Sequence, residues 1–151
     1  MSVGLSLPRI DARAKVTGSA PYPGDLAMPG MAHAKVLFAR RPHARVISID
    51  IREAASLPGV LGVFTGADVP NNEYGLVLFD APVMVGVAGG KVFDGVVRHV
   101  GEKMALIVAE TERIAERARE LIHIEYEDLP AIDSIEAALA PGAPQLHPHY
   151  P

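Results

Sequence analysis

Residues Met104 to Ala109 read Met-Ala-Leu-Ile-Val-Ala, an apolar run with no polar alternation, bounded by Lys103 and Glu110. A run this short is a strand rather than a helix. Without alternation it should be a central strand buried on both faces. Thr111 then suits a helix N-cap, and Glu112 lies in the first turn, where the helix dipole favours negative charge. Ile114, Ala115, Ala118, Leu121 and Ile122 form an apolar stripe at helical spacing. Arg113 with Glu116, Glu116 with Arg119 and Arg117 with Glu120 stand three apart on the wet side. Ile122, Ile124 and Tyr126 next alternate against His123, Glu125 and Glu127, the period of a strand with one solvated face. A strand–helix–strand unit usually pairs its strands in parallel through a right-handed crossover. The expectation is an α+β fold: a mixed sheet holding both strands with the helix across it, plus a hairpin-rich portion.

Prolines and glycines cut the rest into short pieces. Strands are expected at Met31 to Ala39, Arg45 to Ile51 and Val60 to Phe64. In the second of these, Ile47, Ile49 and Ile51 should share one face and Val46, Ser48 and Asp50 the other. Arg52 to Leu57 is a short helix, followed by the Pro58-Gly59 turn. A last helix runs from Ser134 to Ala140 and stops at Pro141-Gly142. Residues 1–30 read as an extended, ordered arm of the same domain, 31–140 as the domain itself, and 141–151 as a proline-rich tail. A chain of 151 residues fits one domain and buries roughly 68–70% of its unfolded surface.

Charge and composition exclude several roles. A net charge of −4 argues against nucleic acid, which wants a clustered basic face. With Cys 0, disulfides, thiolate zinc sites and iron–sulfur clusters cannot be built here. No apolar run approaches the ~20 residues that span a membrane, and no basic-then-apolar leader opens the chain. The expected location is the cytoplasm, without membrane contact.

Each candidate for chemistry has a plainer reading. His147 and His149 could face one side of an extended tail, but no carboxylate or third histidine lies close in sequence. His33, His43 and His123 suit solvated or capping roles better than ligation. Gly86, Gly89 and Gly90 before Lys91 have the wrong spacing for a phosphate loop or dinucleotide fingerprint, so a hairpin turn is expected. Lys91 in such a turn suggests a swinging-arm carrier lysine, yet the flanking residues of carrier domains are missing. Glu102 and Asp68 are the best acid candidates. Glu102, at the mouth of the buried strand, should cap or pair with Arg98. Glu125, Glu127 and Asp128 read as a solvated strand edge.

Six stretches in order carry a family resemblance. They are Arg9 to Tyr22 (R-I-D-A-R-A-K-V-T-G-S-A-P-Y), Asp25 with Pro29 to His33 (P-G-M-A-H), and Arg41 to Val46 (R-P-H-A-R-V) with Ile49-Asp50. Pro58 to Pro70 (P-G-V-L-G-V-F-T-G-A-D-V-P), Val97 to Glu102 (V-R-H-V-G-E) and Tyr126 to Pro130 (Y-E-D-L-P) complete the set. Spanning roughly residues 9 to 135, this pattern resembles the amino-terminal α/β-hammerhead domain of the molybdenum hydroxylase large subunit, the xanthine dehydrogenase and aldehyde oxidase family. Lys103 stands where that family usually has proline, and 76–96 is richer in glycine and valine than the family pattern. The resemblance implies part of an enzyme that hydroxylates aldehydes or N-heterocycles. In such an enzyme electrons leave a molybdopterin centre through [2Fe–2S] clusters, usually for FAD. The family's cofactor and catalytic motifs lie downstream of this domain, so no catalytic, cofactor-binding or metal residue carries over and the chain alone is expected to be inactive. The implied role is a scaffold for a molybdopterin-binding segment or subunit, with iron–sulfur and flavin subunits as further partners. The alternative is a stand-alone binding or carrier module on the same fold. Val83, Val85 and Val87, beside Leu76 and Leu78, are the candidate partner-facing surface; the alternative is an ordinary hairpin folded onto the domain's own core.

Overall fold

In the computed structural model, residues 3–148 and 150 are described. The chain divides at Met31/Ala32 into two compact units. The first holds one short helix, α1 (Ala12–Val16), and a 3-10 turn at Pro23–Asp25. A helix here departs from the extended arm expected. Alanines favour the turn locally, and Asp11 holds it through Lys15 (2.6 Å) and Arg9 (3.0 Å). Thr17 caps its end on the Arg13 carbonyl at 2.8 Å, and Gly18 turns the chain away at φ +71°.

The second unit contains strands β1 (His33–Phe38), β2 (Ala44–Asp50), β3 (Val60–Thr65), β4 (Glu73–Tyr74), β5 (Ala81–Pro82), β6 (Val96–Val97), β7 (Lys103–Ala109) and β8 (His123–Asp128). Its helices are α2 (Arg52–Ser56), α3 (Glu112–Glu120) and α4 (Ile135–Leu139). Two three-stranded sheets form, in the orders β1-β7-β3 and β6-β2-β8, with β4 and β5 pairing by themselves. Every pairing between these strands is antiparallel.

The α+β class expected from sequence is therefore found, and β7 is central to its sheet. The single mixed sheet with a parallel crossover is not. Both edges of β7 are already occupied: Ile107 stands opposite Lys35 of β1 on one side and Val63 of β3 on the other. β8 has no edge of β7 left to join, so α3 carries the chain into the second sheet. There β8 pairs with β2, whose polar side chains match it: Arg45 Nε lies 3.3 Å from Glu127 and Ser48 donates to Glu125 at 3.3 Å. Such cross-strand pairs set register on a solvated face.

β2 also corrects the face assigned to its isoleucines. Ala44 and Val46 point inward, and the register then shifts between Val46 and Ser48. This bulge leaves Ile47 43% exposed while Ile49 turns back towards the core. An inserted residue in one strand flips every later side chain to the other face.

Two apolar clusters result. In the first, Ala105, Ile107 and Ala109 of β7 pack with Ala54, Ala115, Ala118 and Ile122. The alanines let the helices approach closely, and Thr111 caps α3 as expected by accepting from the Ile114 amide at 3.2 Å. Of the helix ion pairs expected, Arg117–Glu120 and Arg119–Glu116 form. The second cluster joins Met104 to Ala39, Ala44, Val46, Val85 and Val97. Leu106 and Val108, which share Met104's face, are only half-buried, so β7 is fully covered on one side alone. Val85 is 2% exposed and donates its amide to the Lys103 carbonyl at 2.8 Å. It is core, not the partner-facing surface expected. Of the expected face, Leu76 is fully exposed and Leu78 and Val87 are each 45% exposed, while Val77 at 90% and Phe79 at 65% extend the exposed loop around Leu76.

Candidate functional site

The loop from Asp94 to Lys103 brings together a polar cluster of Asp94, Arg98, His99 and Glu102. Glu102 folds back so that its Oε1 accepts the Arg98 amide at 3.2 Å, closing the loop into β7. The expected Glu102–Arg98 pairing is thus present, but through the backbone of Arg98. The segment after β1 holds this turn: Ala39 donates to the Glu102 carbonyl at 2.8 Å and Arg40, at φ +52°, to that of Val100 at 3.1 Å. Glu102 is only 7% exposed, and its Oε2 has no hydrogen-bond partner among the described residues. Burial raises its pKa above the ordinary carboxylate range, and the Arg98 amide partly opposes the shift.

The Arg98 guanidinium is engaged elsewhere. It donates through Nε to the Leu146 carbonyl at 2.7 Å and through Nη1 to Val96 at 3.1 Å, and it forms an ion pair with Asp94. Two cavities lie beside it. One, of about 160 Å³, is lined by Phe79, Asp94, Val96 and Tyr150 among others. The second, of about 270 Å³, is lined by Tyr74, Asp80, His99, Glu102 and Lys103. His147 borders both.

The other sequence candidates are scattered in structural roles. His43 is buried and its Nδ1 donates to the Pro130 carbonyl at 2.7 Å, fixing the exit of β8. His123 is exposed, 3.9 Å from Glu53. Asp68 accepts the Thr65 amide at 2.7 Å and its hydroxyl at 3.1 Å, capping the turn after β3. Gly89 and Val92 exchange backbone hydrogen bonds at 2.8 and 3.0 Å around Gly90, at φ +58°, so Lys91 sits in the hairpin turn expected. Glu127 and Asp128 pair with Arg45 and Arg41, and the Arg41 guanidinium lies 5.6 Å over the Tyr126 ring. His149 lies outside the described residues. Among the described residues no group of three or more His, Cys, Asp or Glu could hold a metal ion.

Asn72 was not singled out from sequence. It is buried, and its amide bridges both backbone groups of Met84 at 2.9 and 3.0 Å, standing in for a strand pair. Nothing in the local pattern Val-Pro-Asn-Asn distinguishes it from an ordinary turn asparagine.

Residues 17–130 match the family described as "Aldehyde oxidase and xanthine dehydrogenase, a/b hammerhead domain". The chain is 44% identical over 140 residues to a probable xanthine dehydrogenase component of Bacillus subtilis (strain 168), an alignment that covers 92% of the chain and 18% of that protein. It is 40% identical over 142 residues to "Xanthine dehydrogenase molybdenum-binding subunit" of Escherichia coli O157:H7, covering 92% of the chain and 19% of that protein. A solved CO dehydrogenase from Oligotropha carboxidovorans superimposes with a TM-score of 0.80 at 28% identity. The superposition covers 97% of the chain and 18% of that structure. The chain therefore spans less than a fifth of the length of each of these three proteins.

Proposed function

Since the chain belongs to the aldehyde oxidase and xanthine dehydrogenase family as its α/β-hammerhead domain, we propose that it is a non-catalytic scaffold within a molybdopterin-dependent hydroxylase. In this reading residues 31–140 form the scaffold proper, flanked by the arm 1–30 and the tail 141–151. The observation that carries the reading is the exposed apolar loop Leu76–Phe79, set on a unit whose two clusters are already filled. Monomeric soluble proteins rarely leave large contiguous apolar surface uncovered, and the two xanthine dehydrogenase relatives described above carry more than four times as much further polypeptide. The loop would pack against the molybdopterin-binding remainder.

The cofactors are assigned to that remainder and its partners. Molybdopterin would supply the oxygen-atom transfer chemistry, and iron–sulfur and flavin subunits the electron exit. The residues around Arg98 do not fit an anionic pterin phosphate. The guanidinium is taken up by Asp94, Val96 and Leu146, and Asp80 and Glu102 line the adjoining cavity. No helix among the described residues is long and apolar enough to cross a membrane. The cytoplasmic location expected from sequence belongs to the same proposal.

The test is co-expression of the chain with a separately encoded molybdenum-binding remainder. A co-purifying complex is expected, and the double change Leu76→Asp/Phe79→Asp should weaken it at least tenfold while leaving the melting temperature of the lone chain unchanged. If the remainder fails to bind the wild-type chain, the scaffold reading is wrong.

A further inference from the structure

The arm, residues 3–31, is built differently from the rest of the chain. It is locally well bonded. Ser19 and Ala20 both donate to the Ala14 carbonyl, at 2.9 and 3.0 Å, Thr17 caps α1, and Asp25 closes the 3-10 turn on the Tyr22 amide at 2.9 Å. Yet none of its described residues is buried. Leu5, Leu7, Ile10, Val16, Leu26 and Met28 all stand exposed.

These two facts conflict for a segment acting alone. Ordering backbone costs conformational entropy at every residue, and a helix of five residues lies below the length that is stable in water without tertiary packing. Exposed apolar side chains contribute nothing to offset that cost. A defined arm needs a surface to bury them. The superposition on CO dehydrogenase covers 97% of the chain, so it extends into the arm, and that solved chain is more than five times longer than the match. The superposed part of the arm therefore has its counterpart inside a much longer chain.

We infer that the arm is a docking element whose apolar side chains, Leu7, Ile10 and Val16 foremost, are covered by the molybdenum-binding remainder of the enzyme. The inference rests on the scaffold reading above and adds to it a second contact, independent of the Leu76–Phe79 loop. The hydrogen bonds of α1 set the arm's shape, and the remainder supplies the burial that keeps it.

Hydrogen exchange of the full 151-residue chain, alone and in complex with a separately expressed molybdenum-binding remainder, tests it. Alone, the amides of Lys15 to Ala20 are expected to exchange like those of an unstructured peptide. In the complex they should be protected at least 100-fold. The double variant Leu7→Asp/Ile10→Asp should weaken the complex at least tenfold without moving the melting temperature of the lone chain. Binding of the remainder with the arm still unprotected overturns this inference and spares the scaffold reading, whereas no binding overturns both. An arm already protected in the lone monomer would show that it packs on its own chain. Protection that tracks dimerisation in sedimentation would make a second copy the occupant. Either result refutes the proposal.

Discussion

Placing a lysine at Val85 and at Leu76 makes the same chemical change in two opposite environments nine residues apart. Val85 is 2% exposed, packed between the two sheets with Met104 and Val97, and its backbone is pinned to Lys103. Replacing it forfeits ~1.5–3 kcal/mol of side-chain burial. An ammonium left without a partner adds an effective penalty of several kcal/mol even after relaxation and water entry. The sum, at least ~4 kcal/mol, is a large part of the ~5–15 kcal/mol that stabilises a domain of this kind. At ~2–4 °C per kcal/mol for a chain of this size, Val85→Lys should melt at least ~8 °C lower or fail to fold. Leu76 is fully exposed, so Leu76→Lys should stay within ~0.5 kcal/mol of the parent. Thermal unfolding of the lone chain followed by circular dichroism reads both. If Val85→Lys melts with the parent, or Leu76→Lys falls as far as Val85→Lys, the assignment of core and surface in this segment is wrong.

Two further outcomes follow from single side chains. Thr111→Ala removes the acceptor for the Ile114 amide and should cost ~1 kcal/mol in denaturant midpoint analysis; an unchanged midpoint would mean that α3 does not depend on its cap. Glu102→Gln keeps an oxygen for the Arg98 amide and removes the buried charge. Burial raises the folded-state pKa of Glu102, so the native state binds its proton more tightly than the unfolded chain, and this group's contribution grows as pH falls. The variant should therefore melt above the parent at neutral pH, the gap closing as pH drops towards about 4, where unfolded glutamate takes up its proton. A gap that widens on acidification would show that Glu102 is held as a stabilised carboxylate.

What the sequence made legible was governed by local periodicity. The Met104–Ala109 run, the Thr111 cap and the Ile124/Tyr126 alternation each depend on residues close in the chain, and each appears in place in the structure. Partner choice between strands does not. Whether β7 pairs with β8 depends on whether His33–Phe38 and Val60–Thr65 have already taken its edges, and nothing inside 104–126 encodes that. The face of Ile47 was misread for a related reason: a bulge is an extra residue relative to the partner strand, invisible until the partner is known. Val85 failed in the opposite direction, since a valine in a glycine-rich stretch looks like loop until Met104 and Val97 are brought against it from elsewhere in the chain. The polar cluster was half legible. Val-Gly-Glu marked Glu102 at the strand mouth, but its orphaned oxygen arises because the Arg98 guanidinium turns instead to Asp94 and to Leu146, 48 residues onward. A carboxylate that loses its natural partner to a competing acid is a property of three-dimensional neighbours. Its burial without that partner is what raises the pKa of Glu102 above the ordinary carboxylate range.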